Sequence, residues 1–214
     1  MIIIIQCAAS KRTDAGRLMS AAGRPVVFVA DPESAPPDDS VSYARPDDIS
    51  DNGKSWRDVL LEYNKTAGDN ALGLCPAYQL YQNRIYAQLA DRFGLRKVYI
   101  LSAGWGLIRA DFLAPYYDIT FRQSAEQYKR RKKQDFYRDF RMLPDDVEEE
   151  TVFFGGKDYL PLLCALTNDM RTVKTLFYNS DRVPPAPGWT LKRFATSTRT
   201  NWHYECATAF LKKD

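Results

Sequence analysis

Ile2-Ile3-Ile4-Ile5-Gln6-Cys7-Ala8-Ala9-Ser10-Lys11 is the stretch on which the fold turns. Four consecutive β-branched residues make a strand that is apolar on both faces, which suits an interior position in a covered sheet. Within one step the chain then changes to an amide, a thiol, small residues, a hydroxyl and two cations, Lys11 and Arg12. Outward from this strand, short runs rich in Ile, Val, Phe and Tyr alternate with helix-length amphipathic segments. That alternation predicts an α/β protein, a mostly parallel sheet flanked by helices. The expected strands are 2–6, 25–30, 97–101, 151–154, 173–178 and 190–195. One helix is expected over 78–93, where Tyr81, Ile85, Leu89 and Phe93 recur every four residues. Another is expected at the end, where Trp202, Cys206 and Phe210 follow a start signal at Thr198/Thr200.

With 214 residues, 45% hydrophobic and 27% charged, the chain has the proportions of one globular domain over 1–214. Segment 31–54 interrupts the pattern: four prolines (Pro32, Pro36, Pro37, Pro46) interleave with seven acids, which predicts an acidic surface loop or lid. A second proline-rich stretch, 182–188, is expected to carry the chain between two strands. No apolar run approaches the roughly 20 residues that span a bilayer, and the opening lacks a charged leader, so a cytoplasmic protein without membrane contact is expected. The four cysteines lie far apart, without a C-x-x-C pair, and read as reduced thiols. A single histidine, His203, cannot build a His-rich metal site, and no phosphate-binding GxxxxGK[ST] or GxGxxG follows any strand. No cofactor and no His-based metal site is therefore expected, while a metal held by carboxylates alone stays compatible with the sequence.

In open α/β sheets, ligands sit beyond the carboxyl ends of the strands. Four such ends carry unusual residues. The first offers Cys7, Ser10 and Lys11. The strand at 97–101 runs into Ser102-Ala103-Gly104-Trp105-Gly106, where the glycines admit a close ligand and Trp105 offers a stacking face. Gly155-Gly156-Lys157 follows the strand at 151–154 and opens a helix whose N–H groups would face the edge. Asn179-Ser180-Asp181 follows the next strand. If the strands are parallel, these loops converge on one concave site suited to a flat, anionic ligand. Asp118, in Tyr116-Tyr117-Asp118-Ile119-Thr120, is the candidate acid or base, though it equally suits a cap for a helix beginning near Ser124. Ser10 and Ser102 are candidate catalytic donors, and Tyr81 and Thr120 candidate ligand contacts. Cys7, near two cations, has a thiolate-favouring neighbourhood, but the one conventional base, His203, is expected on the terminal helix.

Charge concentrates in one place. Segment 122–141 holds eight bases against three acids, with Lys129-Arg130-Arg131-Lys132-Lys133 at its centre, although the whole chain nearly balances at 30 Lys+Arg and 27 Asp+Glu. Read as a basic helix that buries Tyr128, Phe136 and Phe140 on one side, it presents cations suited either to phosphates or simply to solvent.

Several of these segments together resemble the YaaA-like family of bacterial proteins, which includes a peroxide-stress protein. The likeness lies in Ile4-Ile5-Gln6-Cys7-Ala8-Ala9-Ser10-Lys11, Pro76-Ala77-Tyr78-Gln79-Leu80-Tyr81, Leu101-Ser102-Ala103-Gly104-Trp105-Gly106-Leu107-Ile108 and Pro115-Tyr116-Tyr117-Asp118-Ile119-Thr120. Trp105 stands where the family has a tyrosine. The resemblance implies a compact α/β fold and an association with DNA or its protection under oxidative stress. The expected partner is thus nucleic acid or a nucleotide-like small molecule. The alternative is an enzyme acting on a nucleoside or nucleobase N-glycosidic bond, with Asp118 as acid/base.

Overall fold

The computed structural model describes residues 1–66 and 68–212. In chain order the elements are β1 (Ile2–Gln6), β2 (Val26–Phe28), β3 (Ser42–Ala44), α1 (Trp56–Thr66), β4 (Cys75–Pro76), α2 (Ala77–Leu80), α3 (Ile85–Phe93), β5 (Val98–Ser102), β6 (Gly106–Arg109), β7 (Leu113–Ala114), β8 (Phe140–Arg141), β9 (Thr151–Phe154), α4 (Leu160–Leu166), β10 (Lys174–Tyr178), β11 (Thr190–Arg193) and α5 (Trp202–Leu211). Seven strands form the main sheet in the order β11-β10-β9-β1-β5-β6-β8. All neighbours run parallel except β5 and β6, so the protein is a mostly parallel α/β fold.

The isoleucine run lies in the interior of this sheet because both of its faces are apolar; Ile3, Ile4 and Ile5 have no exposed surface. Helix α3 packs on β1 and β5, α5 packs on β9 and β10, and the two helices touch each other. At the far edge, β11 carries exposed Lys192 and Arg193, charges that discourage edge-to-edge pairing. No described helix is long and apolar enough to cross a membrane.

Four expectations need correcting. The strand expected at 25–30 is present and buried, but it joins β3 in a separate two-stranded parallel sheet. Segment 31–54 is accordingly more than a surface loop: it supplies β3, and its Asp47 binds the buried Arg57. The helix expected over 78–93 is broken. Tyr81 is extended and bridges Lys11, while Arg12 N–H donates to Leu80 O and Gln82 N–H to Ser10 O, so the loop after β1 draws this backbone out of the helix. Only Ile85, Leu89 and Phe93 of the four-residue stripe belong to α3.

The basic helix over 122–141 does not form. The segment holds one 3-10 turn (Gln127–Lys129) and ends in β8. Its backbone bonds other segments: Thr120 N–H donates to Lys129 O, Arg131 N–H to Thr120 O, and Phe140 N–H to Trp105 O. Five adjacent like charges would also repel at helical spacing. Phe136, expected to be buried, is 87% exposed.

Candidate functional site

The parallel register sets the carboxyl ends of β1, β5, β9 and β10 along one edge, since Gln6 pairs Leu101, Ile5 pairs Phe154, and Phe154 pairs Phe177. The loops after these strands therefore meet, yet they do different things. The loop after β5 is a closed hairpin turn. Arg57 donates from Nη1 to Trp105 O and from Nη2 to Gly104 O, both at 3.1 Å, and Arg131 Nη1 donates to Ala103 O at 2.8 Å. Three consecutive carbonyls are thus satisfied by two guanidiniums that are themselves buried and paired, Arg57 with Asp47 and Arg131 with Asp139. Trp105 is wholly buried against Phe28 and Phe140 and offers no stacking face. Gly104 sits against the Tyr117 ring. Gly106 (φ 87°) lies where a Cβ would come within 2.6 Å of Phe140 O, so both glycines serve packing and not ligand approach.

Ser102 belongs to the same interior. Its Oγ accepts from Gly104 and Trp105 N–H and donates to the Tyr117 hydroxyl at 2.8 Å, and Tyr117 in turn meets the Tyr81 hydroxyl at 2.9 Å. The Cys7 thiol lies beside this chain, 3.1 Å from the Tyr159 hydroxyl, and receives Ala103 N–H at 3.4 Å. Burial pushes the Tyr81, Tyr117 and Tyr159 hydroxyls well above the ordinary tyrosine range, so they remain protonated donors. Lys11 is buried with them: its ammonium lies 4.1 Å above the Tyr117 ring and 3.4 Å from Ala9 O, and burial lowers its pKa.

The open part of the edge is a cavity of about 570 Å³ beyond β1 and β9. Cys7, Ser10, Thr120 and Gly156 line it, four of the residues singled out from sequence. Asp118 does not. Its carboxylate is held 2.8 Å from the Lys129 ammonium, and Lys129 also pairs Glu126. Gly155 is packed so tightly on the Phe153 ring that a Cβ would stand 2.1 Å from it. Lys157 is exposed and lines two hollows next to the cavity. Of the five central basic residues, Arg131 is buried and Lys129 paired, which removes both from a free cationic surface. Arg130 is half-buried and donates to Gln123 O, while Lys132 and Lys133 are exposed.

Much of the lining comes from elsewhere. Gln82 and Asn83 bring carboxamides, Arg122 and Arg199 bring guanidiniums, and α5 points its first turn, with Trp202, His203 and Tyr204, at the space. The N-terminal end of a ten-residue helix carries partial positive charge. Its start is fixed by Glu205, which accepts from the Thr196 and Thr198 hydroxyls. Thr198, expected as a start signal, works through that carboxylate, and Asn201 occupies the cap in a left-handed conformation (φ 62°).

Gln6 sets the state of His203. Gly156 N–H donates to Gln6 Oε1 at 2.6 Å, which turns the amide nitrogen toward His203 Nε2 at 3.2 Å. An amide NH₂ only donates, so Nε2 accepts and the ring proton sits on Nδ1. Burial lowers the His203 pKa to about 4, keeping the imidazole neutral at physiological pH. Among the described residues no group of three or more His, Cys, Asp or Glu is placed to hold a metal.

Residues 67–180, more than half of the chain, match the family of unknown function DUF6884, and the chain belongs to that family. No curated protein and no solved structure matches it.

Proposed function

For this DUF6884 protein we propose that the cavity at the carboxyl edge of the sheet binds a nucleotide unit, free or as part of a nucleic acid. The observation that carries this reading is the convergence in one space of Arg122, Arg199 and the α5 N-terminus with the carboxamides of Gln82 and Asn83. Guanidiniums and a helix N-terminus are what a phosphate requires. Carboxamides read a base edge by pairing a donor with an acceptor; Gln82 Nε2 gives one hydrogen to Lys11 O and Asn83 Oδ1 accepts from Ile85 N–H, which leaves the Gln82 oxygen and the Asn83 amide nitrogen as that pair, and Tyr159, Trp202 and Tyr204 add ring surface. The volume falls within the roughly 300–1,000 Å³ of small-molecule sites. The YaaA-like resemblance of the segments around this edge points the same way and, within the proposal, toward the protection of DNA.

A second reading is an enzyme acting on an N-glycosidic bond. It rests on Asp158, whose carboxylate lines the cavity, and in that reading the acid/base role moves from Asp118 to Asp158.

Isothermal titration with the four nucleoside 5′-monophosphates tests the binding reading. At least one binds saturably, Arg199→Glu weakens it tenfold or more, and Asp118→Asn leaves it unchanged. Failure of all four to bind at millimolar concentration overturns the proposal.

A further inference from the structure

The cavity does not end at Arg199. It shares Gly156, Asp158, Arg199 and Trp202 with a hollow of about 290 Å³. That hollow shares Lys157, Leu160, Ser180 and Pro184 with a third of about 880 Å³. Sharing these walls, the three hollows lie side by side from the end of β1 past those of β9 and β10. At the usual spacing of neighbouring strands this crosses about 10 Å of sheet, and about three steps of a stacked nucleotide strand fit along it. A mononucleotide occupying the first cavity leaves the rest empty.

Charge along the groove is one-sided. Among the described residues, Arg122, Arg199, Lys157, Lys133 and Arg182 line these hollows against only Asp158 and Asp181, in a chain whose acids and bases nearly balance. Asp181 is itself answered by Arg193 at 2.7 Å. Among the described residues, none of these five cations takes part in an ion pair, although many others of the chain do. Unpaired cations in a row favour a polyanion with regularly spaced charges.

The far end is also apolar. Leu160, Pro161, Pro184, Pro185 and Val183, which is 61% exposed, share the third hollow with Lys133 and Arg182. A duplex hides its base faces, whereas a single strand presents bases to apolar surface and phosphates to the cations beside it. Resting on the nucleotide reading of the first cavity, we propose that the groove takes a single strand of nucleic acid. One base sits in the cavity by Gln82 and Asn83, and the backbone passes Arg199 and Lys157 toward Lys133 and Arg182.

Fluorescence anisotropy with a labelled ten-nucleotide single strand, compared with the 5′-monophosphates, tests this. The strand binds at least tenfold tighter than the best monophosphate. The exposed double substitution Lys133→Glu/Arg182→Glu removes that advantage and flattens the dependence of affinity on salt, while monophosphate affinity stays unchanged. If the strand binds no tighter than the monophosphate, or the same sequence as a duplex or a polyglutamate of equal charge competes equally well, the strand proposal is overturned and the cavity reading stands. If neither monophosphate nor strand binds, both are overturned.

Discussion

His203 shows how one residue's surroundings decide its chemistry. Its pKa, lowered by burial to about 4 from 6.5, keeps it neutral in the folded protein over a range where the unfolded chain takes up a proton. Stability from this group is therefore complete above about pH 6.5 and is lost as pH falls toward 4, by about 3 kcal/mol in all. Urea unfolding at pH 7.0, 5.5 and 4.5 measures it: the wild type loses stability across this window, and His203→Asn loses distinctly less. Equal slopes for the two proteins would place the imidazole in water. At this scale the sequence was partly readable. Cys7, Ser10, Thr120 and Gly156 were identifiable because each lies just past a strand or an aromatic run. Arg199, His203, Gln82 and Asn83 were not, since what brings them to the cavity is the packing of α3 and α5 side by side on neighbouring strands, and no local pattern records that.

Among the elements, the β5–β6 hairpin and the basic segment account for one another. Gly104-Trp105-Gly106 reads as an open ligand loop, but β6 pairs back on β5 at once, and the turn's carbonyls take the guanidiniums of Arg57 and Arg131. The cluster that reads as a cationic helix thus sends its central arginine inward. Removing one partner of a buried pair leaves the other charge uncompensated, which costs about 3–5 kcal/mol, so Asp139→Ala destabilises by about that much. Lys132→Ala, at an exposed position, stays within about 0.5 kcal/mol. Chemical denaturation of the two variants checks this, and similar small losses in both would mean that Arg131 has no need of Asp139. Charge density along a sequence carries no sign of which cation is buried; for Arg131 that depends on a carbonyl 28 residues away.

For the whole molecule, the decisive property is direction. Because β1, β5, β9, β10 and β11 run parallel, loops distant in sequence meet along one edge, and an alternation of apolar runs with amphipathic segments was enough to anticipate it. The order of the strands, with β9 and β5 on either side of β1, was not readable, and it determines that the edge opens between β1 and β9 while closing over β5. The chain's single histidine allows this opening to be tested without interference from any other imidazole. Its ring nitrogens, labelled with ¹⁵N, are followed by NMR while a binding 5′-monophosphate is added. Binding in this cavity requires a proton on Nδ1 before addition and a saturable shift of both ring nitrogens on addition, with the shift lost in Arg199→Glu. Imidazole signals that do not move at a concentration where titration calorimetry shows the nucleotide bound would contradict it, because the ligand would then lie elsewhere on the protein.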